Sequence, residues 1–105
     1  MVNGFKKLSH VEAKKIIDTD KSVVILDVRE PDEVDEGYIE GAVFIPNREI
    51  IENAPKVIPD KNKKILVYCR SGKRSMETCE KLVKMGYTNV YDFGGIMDWP
   101  FEIVM

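Results

Sequence analysis

Three observations predict an α/β domain whose central, mostly parallel sheet carries helices on both faces. Ala42 to Ile45, Ile65 to Tyr68 and Val90 to Phe93 read as short strands, and Val23-Val24-Ile25-Leu26 is an apolar run, continuous rather than alternating. Strands covered on both faces need that pattern. Between them, apolar residues recur in steps of three and four, as helices with one buried stripe require. Strand and helix alternate along the chain, the order of parallel βαβ units. With 105 residues and 44% hydrophobic content, residues 1–105 suffice for one domain with a core that needs no staples.

Taken in order, Ser9-His10-Val11-Glu12 fits a capping box, opening a helix to about Asp18 that buries Val11, Ile16 and Ile17. Val23 to Leu26 follows as a strand with Asp27 at its end. Pro31 to Glu36 is acidic, one or two helical turns stopped by Gly37. Ala42 to Ile45 is a strand ended by Pro46, and Asn47 caps a helix through Ile50 and Ile51 that Pro55 closes. After the strand Ile65 to Tyr68, a helix starts at Arg74 or Ser75 and runs to Met85. Met76, Cys79, Leu82 and Val83 form its buried stripe, and Gly86 ends it. Val90 to Phe93 is the last strand, with Gly94-Gly95 as a tight turn before a short helix leading to Trp99-Pro100.

Charged residues make up 32% of the chain, yet the net charge is only −2. That balance argues against a general nucleic-acid binder. No stretch is long enough to span a membrane, and Met1 to Lys7 lacks a signal peptide's apolar core, so a cytoplasmic, reducing setting is expected. Two cysteines and one histidine are too few for a protein-only structural zinc site of about four ligands. Cys69 and Cys79 are not a C-x-x-C pair. His10 lies far along the chain and reads as a solvated helix-start residue, which speaks against a Cys–His dyad.

The chemistry concentrates in Tyr68-Cys69-Arg70-Ser71-Gly72-Lys73-Arg74-Ser75. An apolar strand delivers Cys69 at its carboxyl end, where ligands bind in parallel sheets. A turn with one glycine and three cations follows, then a helix. A chain curling from strand to helix N-terminus turns backbone N–H groups inward and forms an anion-binding hollow. Such a hollow, with Arg70, Lys73 and Arg74 nearby, favours a thiolate at its lip. Cys69 is therefore the candidate nucleophile, and the hollow must leave its thiol open to solvent.

In order and spacing, Ile25-Leu26-Asp27-Val28-Arg29-Glu30, Gly37-Tyr38-Ile39-Glu40-Gly41-Ala42, the Cys69 loop, Gly86-Tyr87 and Gly94 to Trp99 resemble a single-domain rhodanese. The resemblance implies the rhodanese-like fold and sulfane-sulfur transfer through a persulfide on Cys69. It implies a small anionic sulfur donor such as thiosulfate, a thiol or cyanide acceptor, and no cofactor. Backbone N–H groups from Arg70 through Ser71, Gly72, Lys73 and Arg74 to Ser75 would cradle the persulfide, and the three cations would orient the donor. An alternative keeps the loop but makes the chain a persulfide carrier or binding module loaded by a protein donor. Phosphatases and arsenate reductases that resemble rhodaneses have one more residue between nucleophile and arginine. The shorter loop here, about 3.5 Å less contour, suits one sulfur atom better than a phosphate. Histidine and proline are common in the family where Tyr38 and Glu40 stand.

Other residues take quieter roles. Cys79 falls on the buried helix stripe and reads as core rather than as a resolving thiol. Asp27 and Arg29 tie the strand-end loop to its neighbours by hydrogen bonds. Trp99 is a core or lid aromatic. Glu30 to Glu40 is a solvated acidic face more than a docking surface.

Overall fold

The computed structural model describes residues 4–105. Five strands, β1 (Phe5–Lys7), β2 (Val24–Asp27), β3 (Val43–Phe44), β4 (Ile65–Cys69) and β5 (Val90–Gly95), form one sheet in the order β1-β5-β4-β2-β3. Every pairing is parallel. β4 is central and buried along its whole length. Its side chains alternate between two cores, as a pleat dictates. Ile65, Val67 and Cys69 face one core with Ile50, Ala54 and Leu82. Leu66 and Tyr68 face the other with Ala13, Phe93 and Trp99. A run apolar on both parities is what makes Ile65 to Tyr68 read as continuous.

Helices α1 (His10–Thr19), α2 (Pro31–Val34), α3 (Ile50–Val57) and α4 (Lys73–Lys84) complete the layers. α1 has the expected capping box: Glu12 N–H donates to Ser9 Oγ at 3.0 Å and Ser9 N–H to Glu12 Oε1 at 2.8 Å. Its buried residue is Ala13, with Ile16 and Ile17 packed alongside. Val11 is 68% exposed instead of buried; two positions before Ala13, it points some 200° around the helix from that stripe. β1 had no sequence signal, because only Phe5 of its three residues is buried and its partner β5 lies far along the chain.

α3 departs from expectation at both ends. A 3-10 turn, Asn47–Glu49, precedes it, and Asn47 makes no capping bond. The Asn47 side chain instead reaches across to α4, accepting from Thr78 Oγ1 at 2.7 Å and donating to Glu77 Oε1 at 3.0 Å. Pro55 sits inside the helix, which continues to Val57. Ala54 and Ile58 are buried on either side of it, and Ile58 N–H still bonds Ala54 O at 2.7 Å. Burial here outweighs the one hydrogen bond that proline deletes. On α4 the buried residues are Ser75, Thr78, Cys79 and Leu82, while Met76 stands at the surface.

Candidate active site

β4 ends at Cys69 beside Gly95 of β5, where the register between the two strands shifts. From there the chain turns through Arg70 and Ser71 into Gly72, whose φ of +105° starts α4 one residue earlier than expected. An L side chain at that angle costs about 1–2 kcal/mol, so glycine belongs there. The turn brings Gly72 N–H onto Cys69 Sγ at 3.0 Å. Among the described residues this is the one amide donating to the sulfur. Cys69 itself is 0% exposed. The open thiol that the loop led one to expect is thus covered, because the side chain at the end of β4 packs into the core with Ile50, Ala54 and Leu82.

The loop is fastened at its far end by Ser75, a buried residue. Ser75 Oγ donates to Asp92 Oδ1 at 2.7 Å and lies 3.0 Å from Gly72 O. Asp92, 4% exposed, also accepts Gly94 N–H at 3.0 Å. Gly94 and Gly95 are the last residues of β5 rather than a separate tight turn. Gly95 has a steric reason: a Cβ there would lie 2.1 Å from Arg70 O. The active loop rests directly on that backbone, and Met97 N–H donates to Arg70 O at 3.1 Å.

Of the three loop cations, Arg74 is engaged. Its Nη1 and Nη2 bind Glu33 Oε1 and Oε2 at 2.6 and 2.8 Å. Hydrogen bonds from Arg74 hold the Glu33 carboxyl at about 2, well below the usual carboxylate range, against the opposing effect of burial. Arg74 therefore braces the loop on α2, which leaves Arg70 and Lys73 as the loop's other two cations. Both are exposed, and neither makes an ion pair among the described residues.

Asp27 and Arg29 form the tie their positions suggested. Arg29 Nη2 and Nε donate to Asp27 Oδ2 and Oδ1 at 2.7 and 3.0 Å. Arg29 also donates to Glu33 O at 3.1 Å and to Gly37 O at 2.7 Å. Burial opposes the Arg29 charge, and the Asp27 bonds and charge more than offset it, so its pKa is raised. Asp27 Oδ1 additionally takes Arg29 N–H at 3.0 Å. These bonds fix the turn after β2 next to the active loop. Removing one partner would leave a buried charge alone, which costs about 3–5 kcal/mol.

Three residues carry roles that no local pattern announced. Glu33 and Asp92 act through partners 41 and 17 positions away; the only local hint was an acid in the apolar strand Val90 to Phe93. His10 is the third. It is packed edge-on against Trp99 at 5.3 Å and Phe93 at 6.5 Å, and it lines a groove with Ser71, Gly72 and Lys73. Aromatic contacts from the far end of the chain, invisible locally, draw it out of solvent. Cys79 is fully buried in the α3–α4 core, and burial pushes its thiol pKa up. Trp99 joins the aromatic cluster on the opposite face.

Comparison with known proteins matches this architecture. The rhodanese-like domain model covers residues 9–100. Over 97 residues the chain is 39% identical to the putative sulfurtransferase YtwF of Bacillus subtilis (strain 168), covering 92% of each chain. It is 40% identical over 73 residues to thiosulfate sulfurtransferase PspE of Escherichia coli (strain K12), 70% of each. A rhodanese-related protein from Thermoplasma volcanium has a crystal structure with TM-score 0.81 and 31% identity, covering 94% of this chain and 97% of that one. The chain belongs to the rhodanese-like domain family, as a rhodanese-type sulfurtransferase. No helix among the described residues is long and apolar enough to cross a membrane.

Proposed function

We propose that the protein moves sulfane sulfur through a persulfide on Cys69, with thiosulfate or a related anion as donor and a thiol or cyanide as acceptor. The observation that carries this reading is the Gly72 N–H fixed on Cys69 Sγ at 3.0 Å. A preorganised donor aimed at sulfur stabilises the charge that moves through it during transfer. The thiolate attacks the outer sulfur of thiosulfate, whose S–S bond breaks, and sulfite leaves with the bonding pair. A thiolate acceptor then attacks the outer sulfur of the Cys69 persulfide. The enzyme S–S bond breaks, the acceptor departs as its own persulfide, and the Cys69 thiolate returns. Sulfur carries the electrons through both steps, so no cofactor takes part.

Arg70 and Lys73 draw the anionic donor, and the remaining amides from Arg70 to Ser75 meet the outer sulfur. Because Cys69 is covered, donor access requires its surroundings to open. Asp27 and Arg29 hold the turn after β2 beside the loop. The setting we propose is the cytoplasm, where Cys69 stays reduced, with residues 1–105 working as one unit and neither nucleic acid nor membrane as a partner. The test is sulfite release from thiosulfate by wild type and Cys69→Ser. Loss in the variant supports the reading, and undiminished release rejects it.

The burial of Cys69 also favours a second reading. Here the protein is a carrier, loaded by a protein persulfide donor whose docking opens the loop. Loading by a cysteine desulfurase with none from free thiosulfate would select it.

A further inference from the structure

The matched family region ends at residue 100, and the five residues beyond it build part of the site's surroundings. Tyr38 N–H donates to Val104 O at 2.9 Å, and Val104 N–H donates to Tyr38 O at 2.7 Å. This antiparallel bridge lays the segment against the turn after α2. Ile103 packs on Gly37 so closely that a Cβ built there would lie 2.8 Å from Ile103 Cδ1. Gly37 is the residue whose carbonyl Arg29 holds at 2.7 Å. Ile103 is therefore set against a fixed wall.

Ile103 also lines a cavity of about 150 Å³ together with Met97, Arg70, Glu33 and Glu36. Arg70 follows Cys69 in the chain and its carbonyl takes the Met97 N–H, so the cavity adjoins the loop at the residue next to the nucleophile. Met97 is 59% and Ile103 40% exposed, leaving apolar surface from two separate segments in contact with water. The volume equals roughly five waters at about 30 Å³ each, enough for a short carbon chain. With Glu33 paired to Arg74 and Arg29 to Asp27, the wall has Arg70 and Glu36 as its remaining charges, and these offset each other for the chain that follows an acceptor's sulfur. An apolar arm gains by covering Met97 and Ile103.

We propose that Ile103, with Met97, determines acceptor specificity: the wall favours thiols whose sulfur is borne on an apolar chain. The inference rests on the sulfur-transfer reading above. The reaction remains the second half-step, in which the acceptor thiolate takes the outer sulfur and Cys69 thiolate is released.

The test compares 3-mercaptopropionate with 6-mercaptohexanoate, which share a carboxylate and differ by three methylenes. Cys69 is first charged with thiosulfate or, where thiosulfate fails, with inorganic polysulfide, and charging is read by intact mass. Discharge rates at limiting thiol then give a ratio free of the donor step. Three methylenes half withdrawn from water correspond to about a tenfold preference for the longer thiol in wild type. Ile103→Ala and Met97→Ala should each lower that ratio to about threefold, and Ile103→Leu should keep it near wild type. A wild-type ratio near one, or an unchanged ratio in both alanine variants, overturns the proposal. Absence of any charging by either donor overturns the sulfur-transfer reading itself, and the inference with it.

Discussion

Ser75 Oγ donates to Asp92 Oδ1 at 2.7 Å, joining the end of the active loop to the neighbouring strand inside the core. With Ser75 Oγ also 3.0 Å from Gly72 O, it ties the first turn of α4 to that strand. Ser75→Ala leaves the buried Asp92 carboxylate with Gly94 N–H alone, a loss of about 1–3 kcal/mol. The expected outcome is a lower urea midpoint together with a slower Cys69 charging rate. Full charging in Ser75→Ala would separate the anchor from the chemistry.

Glu33 gives the loop a pH dependence. Its folded pKa, about 2, is depressed below the ordinary value near 4.5. The ion pair with Arg74 therefore contributes fully above pH ~4.5 and fades as pH falls through about 2. Glu33→Gln should cost about 1–2 kcal/mol at pH 7 after allowance for partial exposure. The gap from wild type should begin to close below pH ~4.5, measured by urea denaturation across the range. A gap that stays constant down to pH ~2 would mean that the Glu33 charge does not stabilise the fold.

Much of the fold was legible because its causes are local. Continuous apolar runs marked strands buried on both faces, the Ser9–Glu12 box marked a helix start, and a cysteine at the end of one such strand marked the candidate site. Asp27 and Arg29 were legible too, standing two residues apart at a strand end. What stayed hidden depends on distant partners. The Glu33–Arg74 pair, the Asp92 anchor and the aromatic packing of His10 each join segments that only the closed sheet brings together. Pro55 and Asn47 misled for a related reason: tertiary burial and a cross-helix hydrogen bond overrode local helix punctuation.

Two glycines separate loop contact from backbone strain. Gly95→Ala forces a methyl against the Arg70 carbonyl, where backbone cannot give way, and should cost at least about 2 kcal/mol. Gly86 has φ +100° with nothing within 4 Å of a built Cβ. Gly86→Ala should therefore cost about 1 kcal/mol from strain and keep its activity. Denaturation midpoints and thiosulfate turnover on both proteins check the contrast. Equal activity in the two variants would remove Gly95 from the loop's support.

Cys79 should behave as core. In the folded protein at neutral pH, iodoacetamide should leave it unlabelled, since it is buried and its thiol pKa is raised. Cys79→Ala should retain persulfide charging and lose about 1 kcal/mol of stability. Charging abolished in Cys79→Ala, with the fold intact by circular dichroism, would make it a second participant.

The central claim is that one sulfur atom travels on Cys69. Intact-mass spectrometry after incubation with thiosulfate, with peptide mapping of the product, reads this directly. The account predicts a gain of about 32 Da, one sulfur, on the peptide containing Cys69, removed by a thiol acceptor. A thiosulfate-dependent turnover with no added sulfur on Cys69, or with the sulfur mapped to Cys79, would contradict it.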